Sequence, residues 1–187
     1  LRANGYYKSV NDFIYLKNQG VFFNSEPIPP RFQLACADLR NCLPVFGYQA
    51  DDANFWGYET ELKLPVKFRA SNAYLTLFSD YVRGWFRNSA LGDVPRLPPL
   101  RFGFEVGSDY RKWRGSIRYT HALRQNRPGL EETTTDSYDR LDLDITYDWA
   151  VSQRSRVLLF GKASNMTNSA IRNSTSFLRN FAPEPGF

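Results

Sequence analysis

"LDLDITYDW", residues Leu141 to Trp149, alternates without a break. Leu141, Leu143, Ile145, Tyr147 and Trp149 are apolar or aromatic, and Asp142, Asp144, Thr146 and Asp148 fall between them. Successive side chains of a strand point to opposite faces, so a period of two means a strand with one apolar and one charged face. The pattern repeats upstream. "RGSIRYTHAL" sets Ile117, Tyr119 and His121 against Arg114, Ser116, Arg118 and Thr120. "RFGFEVGSDYR" sets Phe102, Phe104, Val106 and Tyr110 against Arg101, Glu105, Asp109 and Arg111. "YETELKL" and "AYLTLFSDYVRG" read the same way, with Phe78 an exception on the polar side. "LRANGYYKSVNDFIYL" and "SRVLLFGKAS" complete about seven predicted strands. The last has no assignable facing, because Leu158 and Phe160 share a side with Lys162.

Composition agrees with a β-protein. Of the 187 residues 42% are hydrophobic and 23% charged, a globular balance, while aromatics reach 16%, an enrichment that suits strands. The net charge of +5 is spread along the alternating strands rather than gathered in a basic run, so nucleic acid is not an expected partner. No stretch approaches the ~18 apolar residues of a membrane helix. Barrel strands need only ~9–11 residues with every second one apolar, so the mean hydropathy of −0.48 is compatible with a membrane barrel.

Connection lengths alternate. "PVKFRASNA", "RKWR" and "AVSQRSR" read as tight turns, whereas "FRNSALGDVPRLPP", "RQNRPGLEETTTDS" and the stretch from Lys17 to Gly57 read as long polar loops. Short turns at one end and long loops at the other are the asymmetry of bacterial outer-membrane barrels, whose long loops face outside. A soluble β-sandwich or lipocalin-like barrel would show the same alternation, with its apolar face in a core. The mixed charges of the polar face, the aromatics near strand ends and the loop asymmetry favour an all-β, antiparallel, up-and-down transmembrane β-barrel segment.

Several blocks, in order, carry a resemblance. Asn165, Met166, Thr167 and Asn168 are followed by Ser176, Phe177, Leu178, Pro183, Glu184 and Gly186. Ala53, Gly57 and Glu59 stand in "LPVFGYQADDANFWGYETEL", and Asp80, Tyr81, Val82 and Arg83 precede Pro95, Arg96, Pro98, Pro99 and Arg101. Together they resemble the C-terminal part of a TonB-dependent outer-membrane receptor, most similar to its zinc-receptor-like branch. The resemblance implies a barrel of about 22 strands around an N-terminal plug. It also implies residence in the outer membrane of a Gram-negative bacterium, energy relayed through TonB by way of the plug, and a nutrient ligand at the external loops: zinc, another metal, a siderophore or haem. Against that pattern the chain is expected to lack the plug, the early strands and the closing strand, since Gly186 is followed by Phe187 alone. Other barrel strands or a second chain are then needed to close the sheet.

The residues offer little for catalysis. His121 has no Ser or Cys nucleophile at a recognisable spacing, and no Gly-rich loop suggests a cofactor. Asp142, Asp144 and Asp148 lie on one wall, and cross-strand ion pairing with Arg114 and Arg118 in a wet lumen explains them more economically than acid–base chemistry. His121 reads as part of an interfacial aromatic belt rather than a metal ligand. Cys36 and Cys42, the two cysteines, lie in the longest loop, where a disulfide closing a small hairpin is expected ahead of a metal site.

Overall fold

A computed structural model of the chain describes residues 1–23, 43–68, 71–179 and 182–184. Cys36, Cys42 and the final Gly186–Phe187 pair lie outside the described residues. The elements are β1 (Arg2–Phe23), β2 (Leu43–Phe68), β3 (Ser71–Phe86), β4 (Arg101–Tyr110), β5 (Trp113–Ala122), β6 (Tyr138–Ala150) and β7 (Arg156–Ala163). They form one antiparallel seven-stranded sheet in the order β1-β2-β3-β4-β5-β6-β7, an up-and-down meander that is not closed. No described helix is long and apolar enough to cross a membrane.

Register separates the two faces across the whole sheet. Thr76, Glu105, Arg118 and Asp142 are successive cross-strand partners, and so share the charged face. One residue along, Leu75, Val106, Ile117 and Leu143 are partners on the apolar face. That face is not covered among the described residues: Val106 is 48% and Ile117 47% exposed. Aromatic residues bound it at both ends. Trp113 stacks with Tyr147 at 4.6 Å beside the two-residue turn at Arg111–Lys112. Trp56 meets Tyr81 at 5.3 Å, and Phe102 meets His121 at 5.2 Å, at the long-loop end.

Phe78 is not an irregularity of β3. It stands opposite Gly103 on the charged face, where a Cβ on the glycine would lie 2.8 Å from the Phe78 ring. Tyr6 over Gly57, Phe55 over Gly84 and Tyr74 over Gly107 repeat the arrangement, each a directly registered pair. A ring laid across a glycine fills the space that the missing side chain leaves and pins the register of the two strands. Phe78 also carries the Arg118 guanidinium 3.9 Å above its ring. In β7, Leu158 and Phe160 share the charged face with Lys162, as their spacing requires, at the open edge of the sheet.

Within the expected loop from Lys17 to Gly57, the described residues, 17–23 and 43–57, are strand. β3 ends with Phe86 opposite Ala53, and residues 43–52 of β2 continue to pair with β1 beyond that point. At ~3.3 Å per residue the hairpin rises roughly 30 Å past its neighbour. Asn11 and Asp12 form a bulge between the Val10–Ala53 and Phe13–Asp51 pairs, with Asp12 at φ 52°, and Arg87 braces it through Asp52 at 3.1 Å and Ser9 at 3.0 Å. Bulges increase twist and re-aim the strand. Beyond this one, Phe13 and Tyr15 pack against Phe55, Phe86, Val94 and Leu130.

The glycine pairs generate a paired prediction. A Cβ at residue 103 would meet the Tyr119 backbone oxygen as well as Phe78, whereas one at Gly115 finds its nearest neighbour at 3.6 Å. Gly103→Ala is expected to cost about 1–3 kcal/mol through overpacking, and Gly115→Ala to be near neutral. Urea titration of the protein folded in lipid vesicles measures both; equal midpoints for the two variants would contradict the role given to Phe78.

Candidate functional site

Two features stand at the long-loop end and along the charged face. The first is a ladder of ion pairs. Arg101 meets Asp80 at 2.7 Å, Arg118 meets Glu105 at 3.1 Å, and Arg140 meets Asp142 at 2.9 Å. Phe78, Asp80, Arg101, Arg118, Arg140 and Asp142 line a polar cavity of about 250 Å³ among them. Glu105 also accepts a hydrogen bond from the Tyr74 hydroxyl at 2.8 Å.

Arg114, Arg118, Asp142, Asp144 and Asp148 all lie on this face, but they do not pair with one another. Arg118 stands opposite Asp142 in register, yet its guanidinium turns to Glu105 on the other neighbouring strand. Arg114 pairs with Asp109 at 3.0 Å, Asp144 with Lys162 at 3.7 Å and Asp148 with Arg156 at 3.5 Å. A residue in a central strand has two cross-strand neighbours, and a long side chain reaches either. Pairs this open to solvent contribute only about 0–1 kcal/mol each, so the ladder shapes a wet surface more than it holds the sheet together.

The second feature is a cap built from residues 87–100, 123–137, 164–179 and 182–184. Its centre is a buried ion pair, Arg179 Nη1 to Glu132 at 3.0 Å, with side-chain exposures of 8% and 9%. The Glu132 carboxylate also accepts from the backbone N–H groups of Arg96 and Gly129, each at 3.0 Å. Arg179 donates to the Ser174 carbonyl at 2.7 Å, and Ser174 Oγ donates to the Leu97 carbonyl at 3.0 Å. Gly129 is required for the approach, since a Cβ there would lie 2.4 Å from the Pro95 Cα. One carboxylate thus ties all three segments together.

The Asn165–Asn168 element fixes where the third segment leaves β7. Asn165 adopts φ 54° and Asn168 φ 50°, left-handed conformations that Asn tolerates better than most residues. The Asn165 N–H donates to Asp142 at 3.0 Å, and the hydroxyls of Thr167 and Ser169 donate to the Asp139 carbonyl at 2.7 and 2.6 Å. Glu184 completes the return by meeting Arg140 at 3.6 Å, which lays the segment over the charged face. In the risen part of β1, burial and then the Asp51 carboxylate push the Tyr15 phenol above its usual range.

A cavity of about 300 Å³ opens between the hairpin and the cap, lined in part by Leu16, Phe46, Leu130, Phe177, Arg96 and Arg179. Arg96 lies 4.0 Å over the Phe177 ring. Apolar walls with a few placed polar groups are the usual make-up of a small-molecule site. His121 is elsewhere, on the apolar face, with Nδ1 2.7 Å from Asp139. Among the described residues no group of three or more His, Cys, Asp or Glu is placed to hold a metal ion. Sequence reading passed over Glu132 and Arg179 and met Arg96 only as part of a resemblance block, because nothing in their spacing signals that separate loops will bring them together.

Removing one partner of a buried pair strands the other charge, at about 3–5 kcal/mol. Glu132→Gln is expected to loosen the cap while the sheet stays folded. Limited proteolysis should cut residues 123–137 and 164–179 many times faster than in the parent, with an unchanged strand signal by circular dichroism; unchanged cleavage would contradict the keystone role of this pair. The model of the TonB dependent receptor-like, beta-barrel family matches residues 1–166, which takes in all seven strands. No curated protein gives a significant match. Family match and open, two-faced meander agree: the chain belongs to the TonB-dependent receptor-like β-barrel family.

Proposed function

We propose that the chain forms the C-terminal wall and external cap of an outer-membrane receptor that imports a scarce nutrient into a Gram-negative bacterium. The observation that carries this is the uncovered apolar face, continuous across the strands and bounded by aromatics at both ends. Lipid is the solvent that such a face fits. The charged face, with Arg114, Arg118, Asp142, Asp144 and Asp148, then lines a wet interior, and the cap faces outside the cell.

Both outer strands, β1 and β7, present unpaired edges, which are costly in hydrocarbon. Further strands close the barrel in this reading, and a plug inside it contacts TonB. The nutrient meets the cavity between the hairpin and the cap, where Arg96 and Phe177 offer a cation and an aromatic surface. Its class follows the sequence blocks that resemble the zinc-receptor-like branch: a metal chelate such as a siderophore or haem suits this cation and ring, whereas a metal ion such as zinc would take its ligands outside this cavity.

Ile117→Arg, on the apolar face, is expected to cost about 2–4 kcal/mol in lipid, and Ser116→Arg, on the charged face, less than about 1 kcal/mol. Unfolding titrations in vesicles measure the difference; equal costs would sink the lipid-facing assignment and favour a soluble β-rich binding domain. For the transport role, cells are given zinc or ferric chelates at limiting concentration. Uptake should fall alike when the receptor or TonB is removed, and uptake independent of TonB would contradict it.

A further inference from the structure

On the apolar face the side chains change character one register step beyond the Tyr58–Tyr81 pair. Trp56 stands opposite Arg83, and Asn54 opposite Trp85. Moving inward along β3 from Arg83, the same face carries Tyr81, Ser79, Leu77 and Leu75, so this arginine sits where the apolar band ends. Its guanidinium lies over the Trp85 ring at 5.4 Å. Its Nε is buried without a hydrogen-bond partner, and the Asp93 carboxylate, at 3.6 Å, is beyond hydrogen-bond reach.

Strand lengths create the space around it. β4 begins at Arg101, opposite Asp80, so the residues of β3 beyond Asp80, at the long-loop end, have no β4 partner. The following loop supplies one instead, through the Trp85–Asp93 bridge and the Val94 N–H to Gly84 carbonyl bond at 2.9 Å. The result is a groove of about 490 Å³ lined by Asn54, Arg83, Trp85, Arg87, Ser89 and Asp93 among others. Arg87 is committed to the bulge of β1 through Asp52, Ser9 and Asn11. Among the described residues Arg83 is ion-paired with Asp93 alone, at 3.6 Å and without a hydrogen bond, and so keeps donors to spare. Below it Tyr7 packs against Trp85 at 6.4 Å and is 65% exposed on the same side.

We infer that this groove binds the phosphate of an anionic lipid headgroup in the outer leaflet. The inference rests on the membrane reading above and adds a specific lipid site to it. At the height where an aromatic girdle gives way to polar groups, the adjacent solvent is the headgroup layer, and its anions are phosphates. The arginine fork matches a phosphate in two parallel hydrogen bonds. Ser89 and Asn54 supply further hydrogen-bonding groups, Trp85 flanks the headgroup on the loop side, and Trp56 and Tyr7 stand beside Arg83 where the acyl chains begin. Asp93 opposes an anion from the loop wall, so the phosphate is held on the strand side.

The probe is the protein inserted in mixed vesicles of phosphatidylglycerol and phosphatidylcholine, extracted in mild detergent, with retained lipids counted by native mass spectrometry. Phosphatidylglycerol should be retained in preference. Arg83→Gln should weaken retention about fivefold, as expected for one basic contact to an anionic surface. Asp93→Asn should strengthen it. Lys67→Gln, which removes the same charge from the other face at the short-turn end, should leave it unchanged. Equal loss in Arg83→Gln and Lys67→Gln, or equal retention of the two lipids, would overturn the site. Displacement of the lipid by millimolar inorganic phosphate would also overturn it, by showing a soluble-anion site. A protein that does not enter the vesicles at all contradicts the membrane reading itself, whereas one that enters without retaining lipid contradicts only the groove.

Discussion

Backbone N–H and C=O groups placed in hydrocarbon must find partners within the protein, and a strand finds them only in its neighbours. That requirement makes the sheet a ladder, and the ladder makes the side chains alternate. Once Thr76, Glu105, Arg118 and Asp142 share one face, Leu75, Val106, Ile117 and Leu143 have to share the other. A water-soluble sheet would cover the second set with another layer, and large uncovered apolar patches otherwise mark an interaction surface. Here the surface is continuous and bounded by rings at both ends, a shape that supports the proposed contact with lipid.

The charged face solves a different problem. Its ion pairs are open to water and weak, so they do little to fix how the strands slide against one another. The rings over Gly57, Gly84, Gly103 and Gly107 do that, since a slip of one residue would place a side chain where only a glycine fits. Beyond the apolar band the constraint lifts. There the hairpin of β1 and β2 turns at its bulge, mixes polar and aromatic residues on both faces, and provides with Phe13 and Tyr15 the floor on which the cap rests.

What could be read in the sequence follows from the same division. β4, β5 and β6 were legible because each crosses the band, where alternation is obligatory. Residues 43–52 were not, because outside the band a strand such as Gly47–Asp52 needs no apolar face, and its glycine and acidic residues look like a loop. Phe78 looked like a defect until the register placed Gly103 opposite it. The ion pairs were half legible. Alternation put Arg114, Arg118, Asp142, Asp144 and Asp148 on one face, but the choice of Glu105 over Asp142 by Arg118 depends on both neighbours of a strand. The Glu132–Arg179 keystone joins distant loops through burial, and periodicity carries no information about it.

The central claim is that one face of this sheet meets lipid and the other meets water. Spin labels placed singly along β5 and β6, at positions 115–120 and 141–146 of the protein in vesicles, report it residue by residue through their collisions with oxygen and with a water-soluble nickel complex. The account predicts strict alternation, with oxygen favoured at 115, 117, 119, 141, 143 and 145 and the nickel complex favoured at 116, 118, 120, 142, 144 and 146. Labels on the apolar face that meet neither reagent, or meet the nickel complex as readily as their neighbours do, would show that this face is covered by protein or open to water, and would contradict it.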